Sequence, residues 1–228
     1  MASDIKVGLI GAGYIAGWHA DALRATPGVR LAAVCDLARG AAETLASAHG
    51  ARAFGSVEDL IASGAVEAVH ILTPPQSHGA LAKTCLAAGL HVLVEKPVAL
   101  SGDEVAEINA AAKAANRYFA AGHNFMGLPA YARLKRKIAA GDLGRLSSAE
   151  ITWSFPLAPL RSGPFGLWML REPRNLILEL GPHLFAFAHD LFGPVTVTGL
   201  SLGKPIDLPG SGTRPQSWRI TARAGDVD

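Results

Sequence analysis

The chain has 228 residues, 50% hydrophobic, 18% charged and 7% aromatic, which is enough apolar material for one large domain or two modest ones and excludes disorder and collagen-like repeats. Lys and Arg number 21 against 19 Asp and Glu, a formal charge of +2, so neither nucleic acid nor an anionic membrane is an expected partner. Cys35 and Cys85 show no CxxC or metal-ligand spacing and read as packing thiols of a reducing compartment, the cytoplasm.

No apolar run reaches the roughly 18 residues of a membrane span. The stretch VGLIGAGYIAG after Lys6 is not read as a signal peptide, because Asp4 precedes it and its glycines are spaced as a turn. In chain order the sequence predicts a buried strand over Ile5 to Ile10, a helix over Tyr14 to Arg24, a strand over Arg30 to Cys35 and a helix over Leu37 to His49. A strand over Val66 to Leu72, a helix over Gln76 to Ala88 and a strand over His91 to Val94 follow. A helix over Gly102 to Ala115 capped by Ser101, then a short strand over Tyr118 to Ala121, complete this half. Alternation of strand and helix is the pattern of a parallel sheet wound by helices.

After Gly122 the texture changes. Leu128 to Ala140 predicts an amphipathic helix whose RLKRK run reads as a solvated face, and Ser147 to Phe155 alternates like a strand. Pro156 to Arg174 reads as a long loop, Leu176 to Phe192 as a helix that Pro182 should kink or restart, and Val195 to Leu202 and Trp218 to Ala224 as strands of a mainly antiparallel sheet.

Three clusters in the first half carry chemistry. GAGYIA lies between a strand and a helix: Gly11 suits the tight turn, Gly13 lets backbone approach a pyrophosphate at the helix N-terminus, and Ala16 allows close helix packing. With Tyr14 and Ile15 these residues, and Asp36 placed to accept from ribose hydroxyls, form the core of a candidate dinucleotide site. Thr73, Pro74 and His78 follow a strand end, where they would border the nicotinamide half. In Glu95-Lys96-Pro97 the proline biases Lys96 to an extended backbone, and a lysine so aimed can stabilise negative charge on a substrate oxygen. No His/Cys/Asp cluster argues for a metal.

GAGYIA, Asp36, TPPQSH, EKP and GHNF at Gly122 to Phe125 together resemble the ordered motifs of the Gfo/Idh/MocA oxidoreductases, the group that includes glucose-fructose oxidoreductase and inositol dehydrogenase. The resemblance implies an N-terminal Rossmann domain over residues 1–122 that takes NAD, with NADP as the alternative, and places Glu95, Lys96 and Asn124 beside the cofactor. It implies a second α/β domain over residues 123–228, with an open sheet that carries the substrate site and a homo-oligomer contact. By the same resemblance Lys96 and His183 are catalytic, His183 as acid/base with Glu179 assisting it. In ELGPH, Glu179 stands where the family usually has aspartate, and Ala186 replaces a second aspartate. The family's second domain is usually larger, so the chain is expected to be a truncated piece, with an incomplete second domain.

The function expected is hydride transfer between a nicotinamide and a hydroxyl-bearing carbon of a sugar, cyclitol or related polyol. Two alternatives stand beside it, a glycosidase that uses bound NAD in a redox cycle and a non-catalytic dinucleotide-binding regulator.

Overall fold

The computed structural model describes residues 4–154, 156–225 and 227. It divides into two units, Met1–Gly122 and His123–Asp228.

The first unit runs β1 (Ile5–Ile10), α1 (Tyr14–Ala25), β2 (Val29–Cys35), α2 (Arg39–Ala48), β3 (Arg52–Phe54), α3 (Val57–Ala62), β4 (Ala68–Ile71), α4 (His78–Ala87), β5 (His91–Val94), α5 (Gly102–Ala115) and β6 (Phe119–Ala121). The strands form one parallel sheet in the order β3-β2-β1-β4-β5-β6. Helices cover both faces of such a sheet, so its strands are apolar without alternation. Leu9, Val34, Val69, Ile71 and Val94 are accordingly fully buried. β3 and α3 are absent from the sequence reading, since three and six residues are too few to show a period.

Local chemistry sets the helix ends. Ser56 Oγ accepts the Asp59 N–H at 3.1 Å, and Ser101 Oγ accepts the Glu104 N–H at 3.2 Å. Asn116 closes α5 in the left-handed region at φ 51°. The Glu104 carboxylate accepts from Leu100 N–H at 3.2 Å and occupies the space a Cβ at Gly79 would need, so α4 and α5 pack closely. Cys35 and Cys85 lie in the core, where burial pushes their thiols up to about 11 and about 12 and keeps them as neutral packing groups at neutral pH.

The second unit contains α6 (Pro129–Ala139), α7 (Pro159–Ser162), α8 (Trp168–Arg171), α9 (Pro173–Phe192), β7 (Thr196–Leu202), β8 (Pro205–Leu208), β9 (Gly212–Pro215) and β10 (Trp218–Arg223). β7 pairs antiparallel with β10, and β8 with β9. Its small core gathers Leu170, Leu176 and Leu208. Arg214, 4% exposed, donates to the carbonyls of Leu170, Arg171 and Thr213 and so ties β9 to the C-terminal end of α8. Among the described residues no helix is long and apolar enough to cross a membrane.

Three expectations for this half are corrected. Residues 147–154 form no strand: Ile151 and Trp153 are half-buried between exposed neighbours, so the alternation is present, but no described strand pairs with that backbone. Phe155 lies outside the described residues. The segment from Pro156 to Arg174 holds two one-turn helices, α7 and α8, and the β8–β9 hairpin was unforeseen. Lastly, α9 runs unbroken through Pro182. Proline removes only the bond to the Leu178 carbonyl, and buried Leu176, Gly181 and His183 anchor the turns on both sides.

Candidate functional site

In the first unit the candidate residues collect at the carboxyl ends of the strands. The sheet order reverses direction between β1 and β4, the position at which open α/β sheets bind ligands. Gly11 follows β1 with φ +103°, donates to the Cys35 carbonyl at 2.8 Å, and packs so tightly that a Cβ would lie 2.9 Å from the carbonyl of Leu72. No larger residue fits the turn in either respect. Gly13 is the opposite case: a Cβ there would meet nothing within 4 Å. It is the N-cap of α1 and makes no side-chain cap hydrogen bond, and of the first-turn N–H groups that of Ala16 donates to the Gly13 carbonyl at 3.0 Å. Ala16 is fully buried and Ile15 packs on the same core cluster, whereas Tyr14 is 87% exposed. The shape and donors fit a pyrophosphate.

Asp36 stands at the end of β2. Its Oδ2 accepts the Ala12 N–H and its Oδ1 the Ala38 N–H, both at 2.7 Å. The carboxylate therefore clamps the glycine loop as well as standing where a ribose would lie, and each oxygen retains a lone pair for a hydroxyl donor. The clamp was not foreseen in the sequence.

After β4, Thr73 Oγ1 accepts from Ser77 Oγ at 2.7 Å, and Pro74 opens a 3₁₀ turn and is exposed. His78 is fully buried, with Nε2 2.7 Å from the Thr73 carbonyl oxygen and Nδ1 2.9 Å from that of Pro97. Both ring nitrogens are thus occupied by backbone. His78 thereby ties the turn after β4 to the turn after β5.

Glu95 and Lys96 follow β5. Glu95 Oε2 accepts the Lys96 backbone N–H at 3.0 Å, and Oε1 lies 3.1 Å from His19 Nε2. Burial raises the Glu95 carboxyl, but the hydrogen bonds from His19 and the Lys96 amide, with the charges of the same two residues, outweigh it and hold the group below its ordinary value.

The remaining candidates belong to the second unit. Asn124 is exposed in a 3₁₀ turn, Asn124–Gly127. Glu179 and His183 lie one turn apart on α9, Glu179 half-buried and His183 7% exposed. The His183 ring stacks on Trp153 with centroids 5.1 Å apart and planes 17° apart, and Phe125 meets both rings edge-on at 4.8 and 4.6 Å. Sequence reasoning missed Trp153, Phe125, His19 and His70. Phe125 stands inside GHNF, so its neighbourhood was marked; nothing local marks the other three, because only the fold brings them to their partners.

The sequence model of the Gfo/Idh/MocA family, described as an oxidoreductase family with an NAD-binding Rossmann fold, matches residues 5–123, more than half of the chain. An uncharacterized oxidoreductase of Synechocystis sp. is 30% identical over 96% of this chain and 61% of its own length. The inositol 2-dehydrogenase of Rhizobium meliloti is 28% identical over 85% of this chain and 57% of its own. Among solved structures, a putative NADPH-dependent oxidoreductase from Desulfitobacterium hafniense superposes with a TM-score of 0.83 at 23% identity, over 99% of this chain and 65% of that one, which speaks for the fold. The chain spans about three fifths of the length of these relatives. Its glycine loop, Asp36 and the EKP turn stand at the strand ends of a sheet with that family's dinucleotide-binding topology, over the very residues the family model matches: the chain belongs to the Gfo/Idh/MocA oxidoreductases.

Proposed function

We propose that this chain carries the dinucleotide site and part of the substrate site of an oxidoreductase acting on a hydroxyl-bearing carbon of a cyclitol, sugar or related polyol. The observation that carries the reading is the convergence, at the carboxyl ends of the inner strands, of the glycine loop, Asp36 and the Lys96 turn. The inositol 2-dehydrogenase relative supports the polyol class.

NAD, when bound, would supply the hydride acceptor. The α1 N-terminus and Gly13 would take the pyrophosphate and Asp36 the adenosine ribose, with Thr73, Pro74 and Asn124 bordering the nicotinamide half. Lys96 would donate to the substrate oxygen and stabilise its developing negative charge, and His183, assisted by Glu179, would accept the hydroxyl proton. The sheet of the second unit would provide a contact between copies of the chain.

The test follows NADH absorbance with NAD and a panel of polyols led by myo-inositol, on the wild type and Lys96→Ala. The variant is expected to retain NADH binding and lose turnover by about a hundredfold or more. Turnover unchanged by the substitution would remove Lys96 from the chemistry.

A further inference from the structure

Beside the Lys96 turn lies a row of three ionisable side chains, two of which, His19 and His70, belong to no part of the candidate dinucleotide site. His19 comes from α1, His70 from β4 and Glu95 from the end of β5. His19 Nδ1 lies 3.0 Å from His70 Nδ1, and the rings meet edge-on with centroids 5.1 Å apart at 76°. On its other side, His19 Nε2 is the group that reaches Glu95 Oε1, while Glu95 Oε2 holds the Lys96 amide. The His19 and Glu95 side chains are only 16% and 13% exposed.

Chemistry orders the hydrogens along this row. An ionised carboxylate only accepts, so His19 Nε2 carries the hydrogen directed at Glu95. Burial, then the neighbouring His19, pushes His70 down to about 4, so its ring is neutral at neutral pH and has one nitrogen to donate and one to accept. A single hydrogen therefore links the two Nδ1 atoms, whichever ring carries it. Gly122 approaches the same carboxylate oxygen closely: a Cβ there would lie 3.0 Å from Glu95 Oε1.

Apolar side chains of similar volume would fill this space at comparable stability. Polar groups from three separate elements instead form a row that ends on the carboxylate holding the backbone of Lys96. We propose that His19, backed by His70, is a positioning residue: it holds Glu95 and thereby sets the orientation of Lys96 beyond the carboxyl end of β5. Because His19 rides on α1, the same contact joins the helix that would receive the pyrophosphate to the lysine turn. The proposal rests on the reading of Lys96 as the donor to the substrate oxygen.

The experiment compares His19→Leu, His19→Gln and His70→Leu in the full chain, with folding checked by circular dichroism. Lys96 reactivity is read without any substrate, by competitive labelling with trace acetic anhydride and peptide mass spectrometry, relative to exposed Lys113. His19→Leu is expected to change the Lys96 to Lys113 ratio by about threefold or more, and His70→Leu to change it less in the same direction. His19→Gln, whose amide can still donate to Glu95, is expected to restore the ratio to within about twofold. A ratio unmoved in every folded variant overturns the proposal, as does a glutamine variant that behaves like leucine; if His19→Leu does not fold, His70→Leu decides. With a turned-over polyol, His19→Leu should lower kcat about tenfold or more with KM changed less than about threefold. A wild type that turns over no polyol, with a labelling ratio that still depends on His19, would reject the proposed function and leave the positioning role standing.

Discussion

β1 and β7 show how differently the two units are built. In β1 the last four of six residues are buried, and Leu9 among them is 0% exposed; in β7 none of seven residues is buried, and Leu200 is 57% exposed. The first is an inner strand of a sheet covered on both faces. The second belongs to a two-stranded pair, and beside it α9 leaves a cavity of about 790 Å³ lined by Leu180, Leu184 and Ile220 among others. The first unit thus gains stability from dense two-sided packing, which in turn holds its strand ends in place as a rigid frame for a ligand. The second fixes its candidate acid/base locally, through the aromatic contacts of His183.

The largest expected effect follows directly. Leu9→Ala should destabilise the chain by about 2–5 kcal/mol in urea unfolding, because the surrounding strands leave little room to collapse onto the lost side chain. Leu200→Ala should change stability by less than about 0.5 kcal/mol. Similar values for the two would break the contrast between the units.

Acid should act on the first unit through His70. Its folded value is lowered to about 4 from an ordinary 6.5, so between those values the unfolded chain holds a proton that the folded chain does not. Unfolding then takes up a proton, and stability falls as pH drops through this window, by at most about 3 kcal/mol. Glu95, whose folded value is also lowered, contributes in the same direction at the acid end: its stabilisation is present above the ordinary carboxylate value and is lost as pH falls through the folded one. Urea midpoints between pH 7 and pH 4 should show the loss, and His70→Leu should flatten it.

Much of the first unit is legible in the sequence because its determinants are local. A strand, GAGYIA and a helix follow one another, Ser101 announces α5, and Asp36 sits at the next strand end. The His19, His70 and Glu95 row is not legible, since its members are 51 and 76 residues apart from His19 and meet only when α1 lies against β4 and β5. His78 shows the intermediate case: its place after the strand marks a site, but only the structure reveals that backbone carbonyls take both ring nitrogens. In the second unit the alternation of residues 147–154 carries a burial signal without the partner strand that would make it a sheet element. Periodicity reports which side of a segment is covered, and pairing depends on what else arrives beside it.

Asp36 offers a smaller and sharper test of the first unit. Its charge should favour NAD over NADP by repelling a 2′-phosphate, while Arg39, paired with Glu43 at 2.9 Å, is partly neutralised as a counter-charge. Asp36→Asn keeps an acceptor for the glycine loop and removes the charge, so the NAD to NADP affinity ratio should fall about tenfold, equal to about 1.4 kcal/mol. Tighter binding of NADP than of NAD by the wild type would reverse the assignment of Asp36.

The smallest expected change in stability tests the second unit's surface. Val197, Leu200 and Leu202 are 52%, 57% and 59% exposed along β7, an apolar row on a strand that, among the described residues, pairs with β10 alone. An apolar row next to an unpaired edge favours association with another copy of the chain. Leu200→Ser should leave the urea midpoint within about 0.5 kcal/mol of wild type, because little apolar area is lost from water on folding at that position. It should nevertheless lower the apparent mass seen by light scattering at a given concentration, since the row would then be interrupted at its centre. A substitution at Leu9 would change stability and association together, which is why the surface of β7 and not the core of β1 is the place to separate folding from assembly. A wild type that scatters as a monodisperse monomer would show that the exposed row is solvated as it stands, and would withdraw the β7 face as a contact between copies.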